Sequence, residues 1–373
     1  MQYEKKTIFI FDANEGMKLS KDVIQEDGHI IVPKGTILDM DIISRISRSH
    51  VLEVSVYVQP EQTPATDKPV NPVSADESEK AHTYYDKIRN SEEYKHFNDE
   101  YMSNVSAIKE NLNDIVSLGS PINANELLKG ISNMLHEYKN SLQLFDMLHC
   151  MREFDDLTYI HCVNVSLIAS IIGKWLHFSK EDIDTLTVAG LLHDIGKLLT
   201  PHEILSKPGK LTSNEYEIIK NHVNLGYEQL KNQNIDIRIK EACLLHHENC
   251  DGSGYPFHLT SDRIPPIAKI ISIADVYDAM TAARVYRGSI CPFHVIDLMA
   301  KDAYSKFDPA YLLPFLKNVV TSYIHNDVRL SNGETGKVVL INDNAPSRPI
   351  IQCSKDKFIN LSKEPGLEIT AIL

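Results

Sequence analysis

The 373-residue chain has no CxxC pair; its six cysteines, Cys150, Cys162, Cys243, Cys250, Cys291 and Cys353, are scattered. That spacing excludes a zinc knuckle and a disulfide framework, and it predicts reduced thiols in a cytoplasmic protein. Basic residues are in deficit: 38 Lys and Arg stand against 51 Asp and Glu, a net charge of −13. An acidic surface argues against nucleic acid or an anionic membrane as the main partner, because both require basic patches. No apolar run approaches the roughly 20 residues that span a bilayer. The opening MQYEKKTIFIFDANEG lacks the apolar core and small-residue cleavage site of a signal peptide. No internal repeat is visible. What is present is ordinary globular material, 43% hydrophobic, long enough for two or three domains.

Residues 1–58 read as a small α/β module: a strand at Thr7–Phe11, a hairpin turn at Asp27-Gly28, a short helix through Ile42, Ile43 and Ile46, and alternation from Val51 to Val58. Residues 59–80, rich in Pro, Ser, Thr, Asp and Glu, read as a linker that buries too little surface to offset its ordering entropy. Residues 81–149 form a helical connector, with Leu127, Leu128, Ile131, Met134 and Leu135 at helical spacing. The densest helical stretch is 150–322, and residues 323–373 alternate again, which predicts a small β unit. The fold class is therefore mainly α, a helical bundle with a small module at each end. Helix starts are legible in the capping patterns Ser179–Asp182 and Thr212–Glu215 and in Pro266. The second pattern predicts one helix with an inward face of Tyr216, Ile219, Val223, Gly226 and Leu230.

Seven of the 16 histidines fall between 161 and 247. His161, His193, His222, His246 and His247 sit on or beside apolar helical faces, as do Asp194 and Asp275. A single buried histidine is most simply a satisfied core residue. Five imidazoles with two carboxylates require more, because an unpaired buried carboxylate costs several kcal/mol and must be paired or ligate a metal. A thiolate-free donor set suits Zn, Fe, Mn or Ni. Seven ligands exceed one ion but fit two, bridged by Asp194, and two ions about 3.5–4 Å apart form the usual clamp for phosphoester hydrolysis. Lys197 lies one helical turn after His193, where an ammonium could stabilise a phosphate or protonate a leaving oxygen.

These residues resemble a known family. His193-Asp194-Ile-Gly-Lys197 is similar to the signature of HD metal-dependent phosphohydrolases. HHENCDGSGYP from His246 to Pro256 resembles the extended signature of the HD-GYP subfamily, continued by Arg263-Ile-Pro265, IADVYDAMT, Arg284-Val-Tyr-Arg287 and Phe307-Asp-Pro309. The resemblance covers roughly residues 150–320 and implies an HD-type helical bundle that hydrolyses cyclic di-GMP to linear pGpG, and on to GMP in some members. It implies one metal held by His161, His193, Asp194 and Asp275, and a second by Asp194, His222, His246 and His247. Fe or Mn would be favoured, with Ni, Co or Zn as competitors. Asp194 and Lys197 would be catalytic, with Lys197 on the scissile phosphate or the bridging water. Arg284 and Arg287 match positions that hold phosphates or guanines.

In the loop, Gly252, Gly254 and Pro256 read as structural, whereas Tyr255 either borders the substrate pocket or contacts a partner. Two departures stand out. Leu157 occupies the place where some members carry a glutamate for a third metal, and Val285 replaces a proline common in the basic motif. Two alternatives are kept open: a receptor that binds cyclic di-GMP without hydrolysis, and a phosphodiesterase for another cyclic dinucleotide such as cyclic GMP-AMP. By analogy, the front end is expected to regulate, or to pair subunits as a homodimer through the N-terminal module or the connector helices.

Overall fold

The computed structural model describes residues 4–9, 16–24, 30–39, 42, 46, 53–58, 84–138, 141–151, 157–205, 207, 211–282, 291–302, 305–343 and 345–373. The 59–80 linker, the Asp27-Gly28 turn, Ile43, Arg284, Val285 and Arg287 lie outside them. The chain divides into two units, Met1–Ser78 and Glu79–Leu373.

In the first unit, β1 (Glu4–Phe9), β5 (Glu53–Val58) and β2 (Lys18–Leu19) form an antiparallel sheet in the order β1-β5-β2. A separate pair joins β3 (Val23–Ile24) to β4 (Ile30–Val32). Leu19, Val23, Val32, Leu38, Ile46, Val54 and Val56 form its core.

The second unit is mainly helical. The predicted connector supplies α1 (Tyr84–Arg89), α2 (Glu92–Leu118), α3 (Ala124–Glu137) and α4 (Ser141–Cys150). Helix α2 buries Phe97, Tyr101, Val105, Ile108, Leu112 and Ile115, a three- and four-residue repeat that marks one face. That face packs into the same core as α5 (Leu157–Trp175) and α6 (Lys180–Leu192). Short α7 (His202–Leu205) follows, then α8 (Ser213–Lys220), α9 (His222–Leu230), α10 (Ile237–Leu245), α11 (Pro266–Ala282), α12 (Pro292–Lys301) and α13 (Pro309–Thr321).

Local chemistry sets these limits. Ser179 caps α6 by accepting from Asp182 N–H, and Thr212 with Glu215 forms a full capping box at α8. Asp308 caps α13 ahead of Pro309. One helical expectation is corrected. The stretch after Thr212 is two helices broken at Asn221, and Tyr216 is 51% exposed and not inward-facing.

The C-terminal strands β6 (Asp327–Leu330), β7 (Thr335–Asn342), β8 (Ala345–Ser354), β9 (Lys357–Asn360) and β10 (Ile369–Ile372) form one antiparallel sheet, ordered β10-β6-β7-β8-β9. Alternation puts Val328 and Leu330 inward while Asp327 and Arg329 face solvent. Val328, Leu330, Val338 and Ile351 join the helical core, so the sheet packs against the bundle. Among the described residues, no helix is long and apolar enough to cross a membrane.

Candidate metal centre

Five helices and one turn converge. His161 comes from the second turn of α5, His193 and Asp194 from the end of α6 and the turn after it, and His222 from the start of α9. His246 caps α10, His247 follows it, and Asp275 lies in the middle of α11. The approach of α9 to the segment after Asp194 depends on Gly196, where a Cβ would lie 1.9 Å from the His222 carbonyl oxygen.

The side chains form two groups, His161 with His193 and Asp275, and Asp194 with His222, His246 and His247, the ligand atoms of each lying within 4.8 Å of one another. Asp194 divides its oxygens between them. Its Oδ2 is 3.3 Å from His193 Nε2 and 3.5 Å from His161 Nε2. Its Oδ1 is 3.2 Å from His222 Nε2 and 3.7 Å from His246 Nε2. Asp275 Oδ1 is 3.0 Å from His161 Nε2, and its Oδ2 is 3.9 Å from His247 Nδ1.

The backbone fixes which nitrogen faces the centre. His193 Nδ1 donates to the Gly190 carbonyl at 2.8 Å, His222 Nδ1 to that of Ile219 at 2.6 Å, and His246 Nδ1 to that of Cys243 at 3.0 Å. A carbonyl only accepts, so Nδ1 carries the proton, and in the neutral ring Nε2 presents a lone pair. His161 turns its Nε2 inward in the same way by donating Nδ1–H to Asp278 Oδ2 at 2.8 Å. Four Nε2 atoms and a carboxylate thus point at one volume. His222 Nε2 and His246 Nε2 face each other at 3.5 Å, and His193 Nε2 and Asp194 Oδ1 are buried without a hydrogen-bond partner. Orphaned acceptors of this kind are costly unless a cation takes them up. Donors on one ion at about 2.1 Å stand roughly 3.0–3.4 Å apart, close to the shorter separations here. The residues fit divalent metal ions.

Burial acts on the site in opposite directions. Desolvation would raise the Asp194 carboxyl, but His193 and Lys197 hold it well below the carboxylate range. Asp275 is likewise held low against its burial, chiefly by the His161 hydrogen bond. Burial would lower the His161 imidazole, but Asp275 and Asp278 raise it to about 10. Desolvation lowers His246 to about 4 and, helped by the His246 charge, pushes His247 well down. Lys197 Nζ lies 2.5 Å from Asp194 Oδ2, and that carboxylate raises the ammonium's pKa against desolvation. Lys197 stands on a 3-10 turn, Ile195–Leu199, where the sequence suggested a helical turn sharing the His193 face; its partner is Asp194, three residues back.

The loop after His247 borders the centre. Gly252 has φ +81°, and a Cβ at Gly254 would meet Asn249 N at 2.3 Å. The Tyr255 ring stacks on His247 with centroids 4.7 Å apart, and the Tyr255–Pro256 peptide is cis. Glu248, given no role from the sequence, is buried and accepts from Phe257 N–H at 2.6 Å and Leu259 N–H at 2.9 Å, which pins the loop. Asp278 was also missed. Its signal was its position three residues after Asp275, on the same face of α11.

Residues 136–311 match the HD domain family. A Pseudomonas aeruginosa protein named a cyclic di-GMP phosphodiesterase is 34% identical over 217 residues, 58% of this chain and 51% of that one. A Thermotoga maritima protein of the same name is 36% identical over 165 residues, 43% of this chain and 45% of that one. A Vibrio cholerae 3'3'-cGAMP-specific phosphodiesterase is 41% identical over 142 residues, 38% of this chain and 33% of that one. The chain spans about half or less of the length of these relatives.

Proposed function

We propose that residues 136–311, which match the HD domain family, are of the HD-GYP type and that the chain is a metal-dependent phosphodiesterase that opens cyclic di-GMP to linear pGpG. The observation that carries the reading is Asp194, one carboxylate oxygen turned to each group of imidazoles. Under this reading His161, His193, Asp194 and Asp275 hold one ion, and Asp194, His222, His246 and His247 the other. The donor set is nitrogen and oxygen without thiolate, which supports Fe or Mn, with Ni, Co and Zn as competitors. A bound pair of divalent cations supplies a nucleophilic water near neutral pH and offsets charge on the phosphoryl oxygens.

The chain's own groups do the rest. Asp194 and Asp275 stay ionised because the neighbouring imidazoles favour their charged forms. Lys197 keeps its proton beside Asp194 and holds an ammonium toward the scissile phosphate. Tyr255, fixed against His247, forms one wall for a substrate base. Arg284 and Arg287 supply basic contacts to phosphates or guanines. Gly252, Gly254 and Pro256 shape the loop that carries Tyr255. The six cysteines, none of them in a disulfide, support work in the reducing cytoplasm. Pairing as a homodimer, the regulatory front module and the division at 58, 80, 149 and 322 belong to the same proposal.

The test is anaerobic incubation of the Mn- or Fe-loaded chain with cyclic di-GMP and chromatography of the products. Linear pGpG is expected from the wild type and none from Asp194→Ala. Turnover by that variant at the wild-type rate refutes the assignment. The similarity to a 3'3'-cGAMP-specific enzyme favours a second reading of the substrate. Competition between the two cyclic dinucleotides at equal concentration separates them, and preference goes to the one with the higher kcat/KM.

A further inference from the structure

The metal ligand His161 is tied to the connector helix by a chain of buried polar groups that the reaction itself does not use. Asp278 Oδ2 accepts from His161 Nδ1 at 2.8 Å. Its other oxygen, Oδ1, accepts from Asn164 Nδ2 at 2.9 Å. Asn164 Oδ1 in turn accepts from the Tyr101 hydroxyl at 2.6 Å, and the Ile160 carbonyl lies 3.2 Å from the same hydroxyl. Tyr101, Asn164 and Asp278 are each 1% exposed or less. The polarity runs one way. A carboxylate only accepts, so the Asn164 amide must turn its nitrogen to Asp278 and its oxygen to Tyr101, whose single proton completes the chain. The His161 ring is thereby fixed in orientation and tautomer, with Nε2 turned to Asp275 at 3.0 Å.

We propose that Tyr101 is a positioning residue for the metal site at His161, so that helix α2, which leads in from the N-terminal side, sets that site's affinity through Asn164 and Asp278. The three links come from three elements: Tyr101 from α2, Asn164 from α5 beside His161, and Asp278 from α11 beside Asp275. A shift of α2 along α5 breaks the 2.6 Å contact first and leaves the Asn164 oxygen buried without a donor. The His222 group has no member in this chain of bonds; His222 anchors on the Ile219 carbonyl at the end of α8, and His246 on the Cys243 carbonyl of α10. The coupling is therefore selective for one of the two ions.

This inference rests on the two-ion reading above, and the experiment keeps the two apart. Calorimetric titration of the metal-stripped full chain with Mn²⁺ is expected to show two sites in the wild type. Tyr101→Phe removes only the hydroxyl and is expected to weaken one site about tenfold and leave the other within twofold. Asn164→Leu, nearly isosteric and without polar groups, is expected to weaken the same site further. Tyr94→Phe is the control, because Tyr94 lies on the same helix but donates to the Cys150 carbonyl at 3.0 Å. It is expected to change thermal stability without changing either affinity. Unchanged affinities in both Tyr101→Phe and Asn164→Leu, or equal weakening of both sites, or the same loss in Tyr94→Phe, overturns the proposal. Fewer than two sites in the wild type overturns the two-ion reading, and this inference with it.

Discussion

Replacing Gly196 by alanine adds one methyl group and no new chemical function, yet the structure makes it a severe change. The new Cβ would lie 1.9 Å from the His222 carbonyl oxygen and 2.6 Å from Gly226 N. Ordinary contact begins at 3.4 Å, so α9 and the turn after Asp194 must separate by 3.4 − 1.9 = 1.5 Å. Both obstacles are backbone atoms, so no side chain can rotate away. Overpacking of this kind costs about 1–3 kcal/mol or more, which in a unit of this size lowers the melting temperature by roughly 2–12 °C. The same movement carries His222 away from Asp194 Oδ1, now 3.2 Å distant. A functional constellation tolerates only about 0.5 Å, so the second ion should be lost while the His161 group keeps the first. Thermal denaturation with Mn²⁺ titration reads both effects. A Gly196→Ala chain that melts within 1 °C of wild type and takes up two ions at wild-type affinity would refute the packing argument.

Other expectations follow from the same geometry. Glu248→Ala removes two charge-assisted bonds to backbone N–H groups and should cost about 3 kcal/mol in urea unfolding; metal stoichiometry should hold while KM for the substrate rises. Tyr255→Phe keeps the ring on His247 and should leave metal affinity unchanged, whereas Tyr255→Ala should weaken the His222-side ion in a Mn²⁺ titration. Asp297 is half-buried against the C-terminal sheet; burial pushes its carboxyl up, but Lys301 and the Ser347 hydroxyl pull it further down. Its folded pKa is depressed, so its contribution is present above the unfolded value near 4 and disappears as pH falls through the folded value. Asp297→Asn should therefore flatten the stability–pH curve below about pH 4, measured by denaturant unfolding.

The helical architecture was legible in the chain, because the capping residues Ser179, Thr212 and Pro266 announce helix starts that hydrogen-bonding rules enforce. The histidines and aspartates of the centre could be named from composition and apolar context. Their division into two groups about Asp194 came from the family resemblance and not from spacing, because it depends on tertiary packing. The break at Asn221 was illegible: the apolar period runs on through it, and only the structure shows Tyr216 turned outward. Lys197 was placed by α-helical spacing where a 3-10 turn stands. Supporting residues were the hardest to see. Tyr101 and Asn164 lie 63 residues apart, and Glu248 reaches Leu259 across 11, so no local period links them. The connector and the C-terminal sheet carry ordinary amphipathic patterns, which say that a face is buried but not against what.

The central claim is that Asp194 serves both ions at once, and counting metal per chain in three proteins tests it most directly. After equilibration with Mn²⁺ and removal of free ion, the wild type should retain two ions, His222→Ala one, and Asp194→Ala none. An Asp194→Ala chain that still holds one ion, as His222→Ala does, would contradict the shared carboxylate and the site built around it.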